Sequence, residues 1–252
     1  MQAAIRLNYR DMKQVAIVVL CAMVFCGFTT NKPQDKVLIF SLTKGFHHTS
    51  IADGIDAIKL IGEKDNFIAD TTTNPGLFTD ANLKQYKALI FLSPTGTGLF
   101  NAEQQKALVN YIHNGGGFVG IHAATDCLYD WDWYGKLVGA YFVKHPKIQQ
   151  ATLNVIDTKH PSTQKFPAQW QHTDEWYNFK QVNPDIHVLI KVDEQSYSGG
   201  EMNNNHPISW YHEFEGGRAF YTALGHTKEC YTTDTLFLRH LTGGINYALN
   251  RK

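Results

Sequence analysis

Apolar residues fall in short unbroken runs over the first half of this chain and alternate with polar ones over much of the second. Lys36 to Leu42 (KVLIFSL) reads as a continuous buried strand, and Phe67 to Thr72, Ala88 to Ser93 and Phe118 to Ile121 as three more. Between the first two, Ile51, Ile55 and Ile58 recur at helical spacing behind Thr49 or Ser50, either of which can cap the first turn. Asn101 with Gln104 has the form of a capping box, opening a helix to about His113 that Gly115 to Gly117 ends. Near-continuous apolar strands alternating with amphipathic helices predict an α/β fold, a mostly parallel sheet with helices on both faces.

Past residue 130 the pattern changes. Tyr129 to Tyr141 is aromatic and glycine-rich. Ala151 to Ile156, Glu175 to Lys180, His187 to Val192, Ile208 to Phe214 and Arg218 to Leu224 then read as strands without clear helices between them. This predicts a β-rich C-terminal elaboration, closed by a helix over about Asp234 to Leu249 with Asp234 as its N-cap. The length of 252 residues and 43% hydrophobic content suit one sizeable domain or two small ones, and no shift of composition after residue 35 marks a linker.

Residues 1–30 stand apart. Arg6, Arg10 and Lys13 precede an apolar run from Val15 to Phe28, short for a bilayer crossing, and the polar break from Thr29 to Gln34 follows. This is the outline of a signal peptide, and the expectation is an exported, periplasmic protein. Cys26-Gly27 outlines a lipoprotein anchor site, though Met23, Val24 and Phe25 are bulkier than such sites use. Three of the 23 basic and one of the 23 acidic residues lie in the leader, so the mature chain is close to neutral and nucleic acid is not its partner. Only Cys127 and Cys230 lie beyond it; outside any CxxC pair, they suit a single disulfide or two buried thiols rather than a thiolate zinc site.

Ligands of open α/β sheets sit beyond the carboxyl ends of the strands. Polar residues collect at those ends: His47 and His48 after the first strand, His122 and Asp126 after GGGFVGI, and His226 with Thr227 after the strand ending at Leu224. Small Ala123 and Ala124 leave room for a sharp turn after His122, which is either a satisfied core histidine or an active-site group. His145 sits in the turn of GAYFVKHP, and QHTDEWYNF sets Asp174 and Glu175 beside Trp176 and Tyr177. Adjacent carboxylates among aromatics suit acid/base work or metal ligation, or a solvated turn, and the sequence leaves open which of the two points inward. Arg218 is read as part of a hairpin or as a partner of a carboxylate.

GFHHTSI, GGGFVGIHAATD, GAYFVKHP, HTDEWYNF, HPISW and GGRAFYTALGHT occur in the order and at about the spacing of the ThuA-like (trehalose utilisation) family. The resemblance spans about residues 36–250. It implies one flavodoxin-like domain of the class I glutamine amidotransferase-like superfamily, with His48, His122, Asp126, His145, Glu175 and His226 among the family-typical polar positions. Amidotransferases place a cysteine at the strand-to-helix elbow, whereas this chain has His122, and imidazole cannot replace a thiolate in glutaminase chemistry. No GxSxG motif marks a serine hydrolase, and no GxGxxG fingerprint marks a nucleotide cofactor.

The resemblance also implies a small-molecule carbohydrate substrate, a glycoside or 3-keto-glycoside, handled beside a separate NAD-dependent sugar dehydrogenase. The catalytic expectation rests on His122, Asp126, Asp174 and Glu175, with His122 or Glu175 as base. A divalent metal, zinc or manganese, is expected on His48, His122 and His226, with Glu175 or Asp174 as fourth ligand. His145, Tyr177, Trp210 and Thr227 are expected to bind substrate, with Trp131, Trp133 and Trp176 as further stacking faces. The alternative is a sugar-binding module that kept the fold without the chemistry.

Overall fold

A computed structural model describes residues 34–251; the expected signal peptide over residues 1–30, with Cys26, lies outside the described residues. Five strands form a parallel core in the order β2, β1, β3, β4, β11: β1 (Asp35–Phe40), β2 (Phe67–Thr72), β3 (Ala88–Leu92), β4 (Gly117–Ile121) and β11 (Gly217–Thr222). Every residue of β3 and β4 is buried, which requires cover on both faces and explains their unbroken apolar character. Helix α1 (Ile51–Asp65), with Ile58 and Ile61 buried, packs on β2, and α6 (Thr235–Ala248) packs on β4 and β11.

Local signals mostly hold. Asn101 and Gln104 form the reciprocal capping box of α3 (Ala102–His113), and Asp234 accepts from the Phe237 amide at 2.9 Å to cap α6. Ser50 is the N-cap of α1 but makes no capping bond; its backbone is already helical, and its hydroxyl donates instead to the Gly225 carbonyl at 3.2 Å. The second half is less bare of helix than its pattern suggests. Short helices α4 (Asp132–Val138) and α5 (Lys228–Thr232) lie in it, as α2 (Asp80–Leu83) lies in the first half.

The β-rich half extends the same sheet: β10 (Pro207–Phe214), β9 (His187–Val192), β6 (Gln149–Val155) and β7 (Gln169–Asp174) follow β11 in antiparallel pairs. The segment Glu175–Lys180 is not one strand. Residues 175–177 are irregular, and β8 (Asn178–Lys180) pairs with β5 (Tyr141–Lys144) in a separate ribbon. Successive antiparallel pairings turn β7 back to the direction of β1, β4 and β11, so all four end at the same edge. A flat sheet would hold β7 four strand spacings, about 19 Å, from β11. The Asp174 carboxylate nevertheless lies 2.8 Å from the Gly225 amide just past β11, so the antiparallel half curls back over the core. The register shifts between β9 and β10, at Pro207, Ser209 and Trp210, are the kind of irregularity that bends a sheet this way.

Candidate metal and catalytic site

Strand β4 is buried to its last residue, so the chain can present a polar group only by turning out of it. His122 does so with φ of 51°, a left-handed conformation costly for a residue with a Cβ, and opens a 3-10 turn through Thr125. Its Nδ1 lies 2.7 Å from the Ala223 carbonyl. A carbonyl can only accept, so Nδ1 carries the proton and the Nε2 lone pair faces inward.

Four polar atoms surround that nitrogen. His48 Nε2 is at 3.1 Å, Tyr177 hydroxyl at 2.9 Å, His226 Nδ1 at 3.3 Å and Glu175 Oε2 at 3.5 Å. Glu175 Oε2 is also 3.2 Å from His226 Nδ1, while its other oxygen lies 3.4 Å from His145 Nε2. Burial, then the neighbouring imidazoles, push His48 down to about 3, so it is neutral, and its Nδ1 is buried without a partner. Burial opposes ionisation of Glu175, but the bonds to His122 and His226 prevail and hold it well below the usual carboxylate range. Burial likewise opposes the charged form of His226, and the Glu175 carboxylate outweighs it.

These distances suit a cation. One ligand atom from each of His48, His122, His226 and Glu175 lies within 4.8 Å of all the others. A tetrahedron with metal–ligand bonds of about 2.0–2.1 Å has edges of roughly 3.3–3.4 Å. The His48–His122, His122–His226, His226–Glu175 and His122–Glu175 separations, 3.1, 3.3, 3.2 and 3.5 Å, straddle that value. The donor set, three imidazoles and a carboxylate, is that of zinc-type sites.

Asp174 and Glu175 are both buried, with separate tasks. Alternation along β7 puts Trp170, His172 and Asp174 on its covered face. Asp174 accepts from the amides of Glu175, Gly225 and His226 at 2.8, 2.8 and 3.2 Å, with His172 Nε2 a further 3.2 Å away. Its carboxylate thus ties together the two loops that carry Glu175 and His226 rather than facing the cluster. Burial works against charge on His172, but its bonds to Asp174 and Asp234 raise it to about 11. No motif in the sequence singles out His172, although its phase with Trp170 along β7 faces it inward. His172, Asp174 and Cys230 form a second group of ligand type, already filled by these internal bonds.

The other expected residues are spread more widely. Half-buried Asp126 accepts from the Tyr129 hydroxyl at 2.6 Å, and burial raises its carboxyl. Trp210 is fully buried, donates to the Val138 carbonyl and packs on Tyr221, away from the cluster; Trp176 is also fully buried, and Trp131 stacks on Trp133. Thr227 precedes α5 with its hydroxyl 3.6 Å from Cys230 Sγ. Cys127 and Cys230 are free and buried, and burial pushes the Cys127 thiol up, away from nucleophilic use. Arg218 reaches towards the Gly115 carbonyl at 3.4 Å, at the far end of β11. Two grooves of about 510 Å³ each, one along Tyr86 and Tyr111 and one along Tyr141 and Phe214, contain none of the cluster residues.

Comparison with known proteins agrees with this architecture. A crystal structure of a ThuA-like protein from Bacteroides uniformis is 25% identical, with TM-score 0.73 over 86% of this chain and 92% of that one. A second, from Parabacteroides merdae, is 19% identical, with TM-score 0.69 over 87% and 91%. The fold also recurs, at 11% identity and TM-score 0.58, in a β-galactosidase from Bacillus circulans, where 86% of this chain covers 31% of that one. No curated protein sequence matches the chain. Residues 36–248 match the family described as ThuA, trehalose utilisation, and the chain belongs to that family.

Proposed function

We propose that the chain is a metal-assisted carbohydrate-active enzyme that cleaves glycosides or their 3-keto derivatives. The observation that carries this reading is the convergence of one donor atom from each of His48, His122, His226 and Glu175, all within 4.8 Å of one another and four of their six separations at 3.1–3.5 Å. Those four residues would hold a divalent ion, zinc or manganese, which supplies positive charge to a substrate oxygen that gains negative charge.

Proton handling falls to the rim. A keto group at C3 acidifies the hydrogen on C2; removing it and breaking the bond from C1 to the glycosidic oxygen eliminates the substituent, which leaves as an alcohol once protonated. His145, half exposed and facing Glu175, is placed to take and return that proton, with its Nδ1–H donated to the Pro146 carbonyl at 2.7 Å. His122, wholly buried, serves as ligand rather than base. The chain carries no dinucleotide fingerprint, so the ketone comes from a separate nicotinamide-dependent dehydrogenase.

The test is incubation of metal-loaded protein with glycosides and their 3-keto forms, read by mass spectrometry. Cleavage that is lost in His122→Ala together with the bound ion supports the proposal. Sugar binding without turnover would instead favour a binding module, and neither binding nor turnover would end the reading.

A further inference from the structure

We propose that Phe46 is the platform on which the ring of the carbohydrate stacks beside the histidine cluster, its apolar C–H face laid against the phenyl group. This rests on the carbohydrate reading above and adds to it a residue that governs affinity for the sugar. Phe46 is 64% exposed, whereas every other Phe, Tyr and Trp among the described residues is buried or half-buried. Its ring stands edge-on to that of His48, with centroids 4.8 Å apart, and so borders the cluster directly.

Single exposed apolar residues are common and most need no explanation. Phe46 differs because its backbone is stapled. Fully buried Thr95 donates its hydroxyl to the Phe46 carbonyl at 2.7 Å, and its own carbonyl receives the Lys44 amide at 2.9 Å. A water-exposed ring is thereby held ready on a fixed loop, and the ordering cost of binding is reduced in advance. The exposed neighbours Lys44 and His47 are polar, so the apolar surface is one ring wide. That suits a sugar, with hydroxyls for the polar groups and C–H bonds for the ring, better than a protein partner, which needs a broader patch.

Equilibrium binding of trehalose and methyl glucosides to the metal-loaded protein tests this, with Phe46→Ala and Phe46→Trp measured alongside metal content and melting temperature. Phe46→Ala is expected to weaken binding about tenfold, as loss of one aromatic contact does, at unchanged metal content and melting temperature. Phe46→Trp should retain or tighten binding. Equal affinity of wild type and Phe46→Ala would overturn the stacking role while leaving the carbohydrate reading intact. Loss of the ion in Phe46→Ala would overturn it too, since the ring would then act only through His48. No sugar binding by wild type would remove both.

Discussion

His122 owes its place in the site to its backbone as much as to its ring. Leaving β4 with positive φ costs free energy that the bond to Ala223 and the packing of Ala123 and Ala124 must offset. The sequence outlined this corner, because an apolar run that stops at histidine before small residues has few other uses. It could not divide labour between Asp174 and Glu175, since adjacent residues past a strand end have no pattern to tell which turns where. Asp174→Asn would place an amide donor among three backbone N–H groups. Chemical denaturation is expected to show a loss of about 3 kcal/mol, the range for breaking a buried ionic network. If the cluster holds a metal as proposed, cobalt bound by the parent protein should also change its visible spectrum in this variant, because the Glu175 and His226 backbones lose their tether.

Elements whose signals are local were legible: the capping box of α3, the Asp234 cap of α6 and the all-apolar strands came straight from residue order. The break between β7 and β8 was not, because Glu175 to Lys180 has the aromatic composition of a strand and tertiary bonds alone interrupt it. The loop after β11 shows what such an interruption requires. Gly225 has φ of +117°, and a Cβ there would meet the Tyr231 hydroxyl at 2.5 Å. Gly225→Ala should lower stability by roughly 1–3 kcal/mol and displace His226. Thermal melts with zinc titration will check this; an unchanged zinc affinity would show that the loop does not position the ligand.

At the scale of the whole molecule, buried histidines outside the site contribute to the loss of stability in acid. His240 is fully buried, with Nδ1 donating to the Ser162 carbonyl, and burial pushes it down to about 3; burial likewise pushes His160 down to about 4. With the unfolded value near 6.5, the unfolded chain binds these protons first, so stability falls as pH drops from 6.5 towards 4 and is complete above that window. Each histidine is worth on the order of 1 kcal/mol by about pH 5.5. Melting temperature measured against pH should therefore fall below about 6.5, and His240→Gln should flatten the slope.

Residue order alone determined most of the strands, though not β5 or β7, together with the helices with strong caps, the family and the set of strand-end histidines, since each depends on period, turn chemistry or composition within a short window. Only the tertiary structure decided that Glu175, at the far margin of a nine-stranded sheet, meets His122 near its centre. That meeting depends on curvature summed over β11, β10, β9, β6 and β7, and no single strand records a bend that arises between strands.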